Sequence, residues 1–321
     1  MRTIGEDSTV LTFPKTLKRI RAEIESISTS SKFLNVEGGS VEQVRDNRLR
    51  LHHYANYAAA FTIFAAEARP LRILELGCGS GLLSAAFARL MPSDWSVFAT
   101  DYSPRLIEYA QIHAAVAGVQ FECLSISDLK PEFLRNFDAV MFLEVVEHLS
   151  EEEAVKLFSH LYSGLSAGGM VILTTLDRSP FKRPFSGYGP HKVEYRYETL
   201  RDFLLDKKKI PFERVDIFRL IAPRIVRQAI KSEKWGGYLF NRAVALVNRV
   251  ARSHPDLVYL IERLANISFW VYDHFLPRKR FNTDRYMEEV KLVTQNVADY
   301  NSESFSLVAV LRKANLPKST V

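Results

Sequence analysis

The chain has few cysteines and no long apolar run, and both absences narrow the classes of protein to which it can belong. Two cysteines in 321 residues argue against a disulfide-bonded scaffold and make a reducing cytoplasm the expected compartment. No uncharged apolar run reaches the roughly 18 to 20 residues that a membrane-spanning helix needs. Residues 1–8 contain no apolar signal region. We therefore expect a cytoplasmic protein, with peripheral contact to the inner membrane face left open.

The composition is that of a folded protein with one uneven feature, its charge. Hydrophobic residues make up 47% of the chain, and the length suits one large α/β domain with additions or two smaller domains. The net charge is +6, yet the stretch from Arg219 to Phe281 holds twelve Lys and Arg against four Asp and Glu. This stretch therefore carries a net +8, and the rest of the chain is slightly acidic.

Three alternating glycines, at positions 77, 79 and 81, follow an apolar run from Leu71 to Leu76 and precede a helical pattern that begins at Leu82. Glycine permits a positive φ and lets a ligand approach the backbone closely, so the pattern predicts a strand, a ligand loop and a helix start. A dinucleotide loop has the spacing G-x-G-x-x-G, which would place the third glycine at position 82. Here the third glycine comes one residue earlier, at position 81, and position 82 is leucine. Because Glu75 lies beside the loop, a ligand with a cationic amino group is favoured over a pyrophosphate.

Apolar runs alternate with helical patterns along the chain, which predicts an α/β fold. The second predicted strand ends in Asp101, whose carboxylate is placed to accept hydrogen bonds from the hydroxyls of a ribose. The predicted strands cover 71–76, 96–100, 119–124, 137–144, 165–174 with its preceding turn, 212–218 and 304–312.

Four motifs resemble, in order and spacing, those of the class I S-adenosylmethionine-dependent methyltransferases. They are Glu75–Gly81, Ala99–Ser103, Phe137–Val140 with Glu144–His148, and Leu165–Gly169. The resemblance implies a Rossmann-like seven-stranded sheet with flanking helices, a last strand antiparallel to the rest, and S-adenosylmethionine as the cofactor. By position in the family pattern, the cofactor-binding residues are Glu75, Gly77, Cys78, Gly79, Gly81, Asp101, Tyr102, Ser125, Ile126, Leu143 and Glu144.

This resemblance divides the chain into an N-terminal arm at 1–45, a cofactor-binding core at 46–218 and 300–314, and a helical insertion at 219–299. The insertion is far longer than an ordinary connection and carries the basic stretch. We expect it to form a helical lid over the cleft, with Trp270 and Phe275 buried against the core. A membrane-surface contact and a nucleic-acid surface are the alternatives.

The N-terminal part is less informative, although residues 17–27 and 41–68 have helical patterns. In the family, N-terminal helices often close over the cofactor. Arg50, His53 and Tyr54 are therefore candidates for contact with the cofactor carboxylate. The alternative is that they belong to a packed, partly exposed helix.

The chemistry is expected at Glu144, Glu147 and His148, which follow the fourth predicted strand, and at His191, which follows the fifth. Ligands of open α/β sheets bind beyond the carboxyl ends of the strands, where these four side chains would converge. A hydroxyl acceptor needs a base, and His148 and His191 are the candidates. The same four residues could instead hold a divalent ion, Mg²⁺ or Mn²⁺.

The quartet also resembles that of the small-RNA 3′-end 2′-O-methyltransferases, and the Glu144–His148 motif resembles the ubiquinone-biosynthesis O-methyltransferases. The expected function is O-methylation of a small-molecule, glycan or lipid-linked hydroxyl. The alternatives are a metal-dependent RNA 2′-O-methyltransferase and a non-catalytic cofactor-binding regulator. RNA and a membrane surface stay open as partners, and DNA is not expected.

Overall fold

The computed structural model describes residues 12–28, 47–232 and 286–314. These ranges form one sheet with helices on both faces. The strands are β1 (Arg72–Leu76), β2 (Ser96–Asp101), β3 (Val119–Cys123), β4 (Ala139–Leu143), β5 (Met170–Leu176), β6 (Arg214–Ile221), β7 (Lys291–Val293) and β8 (Ser304–Arg312). The helices are α1 (Phe13–Ser28), α2 (Asn47–Phe64), α3 (Leu82–Leu90), α4 (Pro104–His113), α5 (Pro131–Leu134), α6 (Glu151–Gly164), α7 (Tyr197–Leu205) and α8 (Pro223–Ser232).

Local sequence signals explain where several helices begin. Ser103 caps α4 by accepting a hydrogen bond from the Leu106 N–H, and a proline follows it at the first helical position. Ser150 and Glu153 form a reciprocal capping box at the start of α6. Because α4 follows β2 and α6 follows the loop after β4, these caps fix where two loops at the sheet's carboxyl edge end.

The sheet has the order β3-β2-β1-β4-β5-β8-β6-β7. Strands β1 to β5 are mutually parallel, whereas β8 is antiparallel to both of its neighbours, β5 and β6. The predicted Rossmann-like α/β class and the antiparallel last strand are confirmed. The predicted count of seven strands is one too few within the described residues, because the short β7 pairs with the end of β6.

Two apolar clusters cover the faces of the sheet. One packs β-strand residues against α1 to α4, and the other packs them against α5 to α7. Helix α1 lies within the predicted N-terminal arm but belongs to the first cluster, since it buries one side in contact with α2 and α3. Its buried apolar residues are Phe13, Leu17, Ile20, Ile24 and Ile27. The part of the predicted arm that forms α1, Phe13–Ser28, is therefore packed into the core.

The two ends of the predicted insertion at 219–299 belong to the sheet region. Strand β6 continues to Ile221, α8 follows, and β7 returns to pair with β6. Residues 233–285, with Trp270, Phe275 and most of the basic residues of the predicted lid, lie outside the described residues. Among the helices of the described ranges, none has the length and apolar character needed to cross a membrane.

Candidate functional site

The glycine loop lies between β1 and α3, at the carboxyl edge of the sheet. Gly77, Gly79 and Gly81 have φ angles of 82°, 57° and 74°, a region that residues with a side chain rarely adopt. The loop is tied to β2, because the N–H groups of Gly77 and Cys78 both donate to the Thr100 carbonyl, at 2.7 and 2.9 Å. The backbone is therefore fixed before any ligand binds.

The three glycines differ in what surrounds them. A Cβ on Gly77 would lie 2.6 Å from Val145 Cγ2, and one on Gly81 would lie 2.6 Å from the Phe121 ring. A Cβ on Gly79 would meet nothing within 4 Å. Gly77 and Gly81 are thus required by packing, whereas Gly79 borders open space. That space is a cradle in which an S-adenosylmethionine molecule could approach the backbone.

Asp101 closes one side of this cradle. Its carboxylate accepts hydrogen bonds from the N–H groups of Gly79 and Ser103, each at 3.0 Å. Burial raises the pKa of Asp101, and these backbone donors offset part of that effect. A carboxylate held by two amides at the end of β2 keeps lone pairs for further donors, as the hydroxyls of a ribose would be.

Glu75 lies at the other side of the loop and is fully buried at the end of β1. It accepts a hydrogen bond from the Tyr57 hydroxyl of α2. Burial raises the pKa of Glu75 to about 7, although hydrogen bonds from Ser84 and Tyr57 act in the opposite direction. The carboxyl group is therefore poised to ionise when a cation, such as the cofactor's amino group, lies beside it. Together, the loop and the two carboxyl groups fit S-adenosylmethionine.

We predict that cofactor affinity rises with pH across neutrality. As pH rises through about 7, Glu75 loses its proton and gains attraction for the cofactor's ammonium group. Binding should then weaken by up to about tenfold for each pH unit below that value. Calorimetric titration at several pH values measures this slope, and Glu75→Gln should flatten it. The ligand 5′-methylthioadenosine, which lacks the amino acid part, is the control, and an equal slope for it would contradict the assignment.

The other predicted cofactor residues lie along the same edge of the sheet. Tyr102 follows Asp101 and is 68% exposed, while Ser125 and Ile126 follow β3 and are half-buried. Leu143 ends β4 and is buried. Cys78 is also buried, and burial raises the pKa of its thiol well above the usual range, so this thiol is not a nucleophile near neutral pH. Contact of these five residues with the cofactor stays a prediction.

Glu144 directly follows β4 and has a φ of 59°, an uncommon value for a residue other than glycine. Its carboxylate accepts hydrogen bonds from Asn56 Nδ2 at 2.9 Å and Thr174 Oγ1 at 3.1 Å, and lies 2.9 Å from His52 Nε2. Burial alone would raise the pKa of Glu144, but the charge and contact of His52, with His53 and Thr174, hold it well below the usual range. Strained backbone of this kind often lies at functional sites.

Helix α2 supplies site residues that the sequence did not single out. His52 and Asn56 contact Glu144, and Tyr57 contacts Glu75. The candidates His53 and Tyr54 are on the same helix. Burial and the neighbouring His52 lower the pKa of His53 to about 4, so it is neutral and unsuited to pairing with a carboxylate. Tyr54 is buried, and the side chain of Arg50 lies outside the described residues.

Three of the four predicted chemical residues come together. The ligand atoms of Glu147, His148 and His191 all lie within 4.8 Å of one another. The two imidazoles stack edge to face with their centroids 4.9 Å apart. Glu144 is outside this set of three, although its carboxylate lies next to that of Glu147 and also contacts His52, Asn56 and Thr174.

Glu147 is the buried member of this cluster, and its surroundings favour the uncharged carboxyl group. Burial and the charge of Glu144 raise the pKa of Glu147 well above its usual range, and its Oε2 accepts a hydrogen bond from Thr175 Oγ1 at 3.0 Å. Burial and the adjacent His191 lower the pKa of His148. His148 Nδ1 lies 3.3 Å from the Pro190 carbonyl, so the other ring nitrogen is available to the cluster.

Comparison with known proteins identifies the same part of the chain. Residues 73–169 match the family model described as a methyltransferase domain. The ubiquinone biosynthesis O-methyltransferase of Xanthomonas axonopodis pv. citri (strain 306) is 39% identical over 111 residues, which are 34% of this chain and 44% of the relative. Its counterpart from Xanthomonas oryzae pv. oryzae (strain PXO99A) is 38% identical over 112 residues, again 34% and 44%. The chain thus matches less than half the length of these relatives.

Among solved structures, Haemonchus contortus phosphoethanolamine N-methyltransferase 2 in complex with S-adenosyl-L-methionine has a TM-score of 0.48 and 16% identity, with 96% of this chain and 61% of that chain covered. This similarity is too low to support a conclusion about the reaction. The family match, the relatives and the strand order agree on the core. Residues 73–169 therefore form a methyltransferase domain, and the predicted resemblance to the class I S-adenosylmethionine-dependent methyltransferases is confirmed over this part of the chain.

Proposed function

We propose that this chain transfers a methyl group from S-adenosylmethionine to a hydroxyl of a small-molecule, glycan or lipid-linked acceptor. The observation that carries the proposal is the pair of imidazoles, His148 and His191, in the loops after β4 and β5, at the same edge of the sheet as the glycine loop. The curated relatives are named O-methyltransferases, which supports a hydroxyl as the acceptor.

The chain's own residues have two tasks in this reaction. When bound, the cofactor supplies an already activated methyl group, so the protein must align the acceptor and take up its proton. The loop, Asp101 and Glu75 would hold the cofactor in one orientation, and such alignment supplies much of the acceleration in two-substrate reactions. The imidazole of His148, neutral near pH 7 because its pKa is lowered, is able to accept the proton.

Methyl transfer from labelled S-adenosylmethionine into a fractionated lysate tests the proposal. We expect the label in the small-molecule or lipid fraction, and in an alkali-stable ether. Label in RNA would support the alternative acceptor, and the absence of label from every fraction would contradict a catalytic function. The variant His148→Ala, which leaves the cofactor loop untouched, is the control for cofactor-dependent background labelling.

A metal-dependent RNA 2′-O-methyltransferase is the second candidate, because Glu147, His148 and His191 converge as metal ligands do. These three residues would hold the ion, which would lower the pKa of an acceptor hydroxyl. Binding would require Glu147 to ionise, against its raised pKa.

We expect full activity in excess chelator. Two of the three converging groups are imidazoles, whereas Mg²⁺ prefers oxygen ligands, and the predicted fourth ligand, Glu144, is engaged elsewhere. The measurement is the initial rate after dialysis against EDTA, with and without added Mg²⁺ or Mn²⁺. A rate that falls in EDTA and returns with either ion would overturn this expectation and favour the metal-dependent candidate.

A further inference from the structure

Glu194 lies in the loop that joins β5 to α7, where its carboxylate contacts Ser186, His191 and Arg178 of the same loop. Its side chain has no solvent exposure, and the His191 and Arg178 side chains beside it are almost fully buried. Oε2 accepts a hydrogen bond from the Ser186 N–H at 2.7 Å and lies 3.3 Å from Arg178 Nε. Oε1 accepts from the Ser186 hydroxyl and lies 2.7 Å from His191 Nδ1. Each oxygen therefore has its own set of neighbours.

This arrangement fixes the tautomer of His191. An ionised carboxylate can only accept hydrogen bonds, so His191 Nδ1 must carry the proton that it donates to Oε1. The Ser186 N–H and the Arg178 guanidinium face Oε2, and the Ser186 hydroxyl donates to Oε1, so the surroundings of Glu194 suit a carboxylate that accepts on both oxygens. In a neutral imidazole with its proton on Nδ1, Nε2 carries the lone pair and is the nitrogen that can face Glu147 and His148.

We propose that Glu194 is a positioning residue for the proposed methyl transfer: it holds His191 as the Nδ1–H tautomer, with the Nε2 lone pair directed to the cluster. The role would serve proton transfer and ion binding alike, since both need that lone pair. The inference rests on the proposed function only for its kinetic consequence, because the tautomer itself is a property of the protein alone.

The variant Glu194→Gln is expected to move the ring proton of His191 from Nδ1 to Nε2. The amide oxygen will occupy the Oε2 position, where the Ser186 N–H and Arg178 Nε both need an acceptor. The amide NH₂ will then occupy the Oε1 position and donate to His191 Nδ1. His191 must in response carry its proton on Nε2, so the variant inverts the tautomer while it keeps the volume of the side chain. If His191 takes part in proton transfer, kcat should fall by about 10²- to 10⁴-fold, which is the usual contribution of general acid–base catalysis.

The experiment is two-bond ¹H–¹⁵N correlation of histidine-labelled protein, in which ring nitrogens with and without a proton resonate far apart. The chain has eight histidines, few enough to assign His191 by its loss in His191→Gln. We expect an Nδ1–H pattern in the wild-type protein and an Nε2–H pattern in Glu194→Gln. The control is Glu152→Gln, at an exposed position on α6, which should change neither the pattern nor the rate.

The kinetic arm uses the acceptor found by lysate labelling, with kcat and KM measured separately. A fall in kcat of at least about 100-fold in Glu194→Gln, together with the inverted pattern, would support the proposal. An unchanged His191 pattern in a folded variant would overturn it, as would an inverted pattern with an unchanged kcat. If the wild-type protein transfers no methyl group at all, the proposed function fails, whereas the tautomer result still stands or falls on the spectra.

Discussion

The variant Gly79→Ala is expected to fold and to bind cofactor about 5- to 150-fold more weakly. A methyl group at this position meets no protein atom within 4 Å, so it projects into the space that we assign to the ligand. Overpacking of a close contact costs about 1–3 kcal/mol, which corresponds to that range of affinity. The positive φ of 57° adds a folding cost of about 1–2 kcal/mol for a side-chain-bearing residue. Calorimetry measures the affinity and thermal unfolding measures the stability.

Two other glycines, Gly118 and Gly81, provide control variants for Gly79→Ala. Gly118 has a φ of 86° and room for a Cβ at ordinary contact distances, so Gly118→Ala should lose similar stability and no affinity. Gly81→Ala should lose far more stability, because its Cβ would overlap Phe121 and Ala110. If Gly79→Ala and Gly118→Ala bind cofactor equally well, the open space beside Gly79 is not the cofactor site.

The variant Arg219→Met should lose about 3–5 kcal/mol of unfolding free energy. Arg219 and Asp177 form a fully buried ion pair with Nε and Oδ2 3.3 Å apart, and the guanidinium lies 4.6 Å from the Tyr197 ring centroid. Removal of the arginine leaves a buried carboxylate without its cation, which is the costly way to break such a pair. Urea unfolding followed by circular dichroism measures the loss.

A second variant and a surface pair provide the controls. In the double variant Arg219→Met with Asp177→Asn, both charges are absent and the amide oxygen still accepts from the Ser179 N–H, so most of the loss should be recovered. Arg201 is exposed beside Asp202 and lies 5.9 Å from the same Tyr197 ring, so the variant Arg201→Met should keep nearly all of the unfolding free energy. Equal losses for the two arginines would show that the buried charge is not the cause.

The strands of the core were predictable because each is a separate apolar run bounded by turn residues. The seven predicted strands all exist, and each of their ends lies within five residues of the predicted one. Strand β7 was missed, since Lys291–Val293 is three residues long and has no apolar run around it. The placement of α1 in the core was also missed, because one amphipathic helix does not reveal which neighbour covers it.

The cofactor loop could be predicted from local sequence, whereas the polar contacts of the site could not. Helix α2 is buried at nearly every position from Leu51 to Phe64, so it has no polar face that would indicate which residues point to the sheet. The contacts of His52 and Asn56 with Glu144 therefore had no sequence signal. Glu194 is three residues from His191 in a loop, and only the fold of that loop brings their side chains together.

The position of β8 has a consequence for how the protein is made. Residues 304–312 are synthesised after the seven other strands of the described ranges, yet they lie between β5 and β6 and pair with both along their length. Until the ribosome releases them, β5 and β6 each present an unpaired edge, which is a template for association with another chain. Pairings across roughly 80 to 140 residues of sequence also close slowly. The nascent chain is thus expected to be most prone to aggregation just before β8 emerges from the ribosome, and chaperone dependence should fall sharply once β8 inserts.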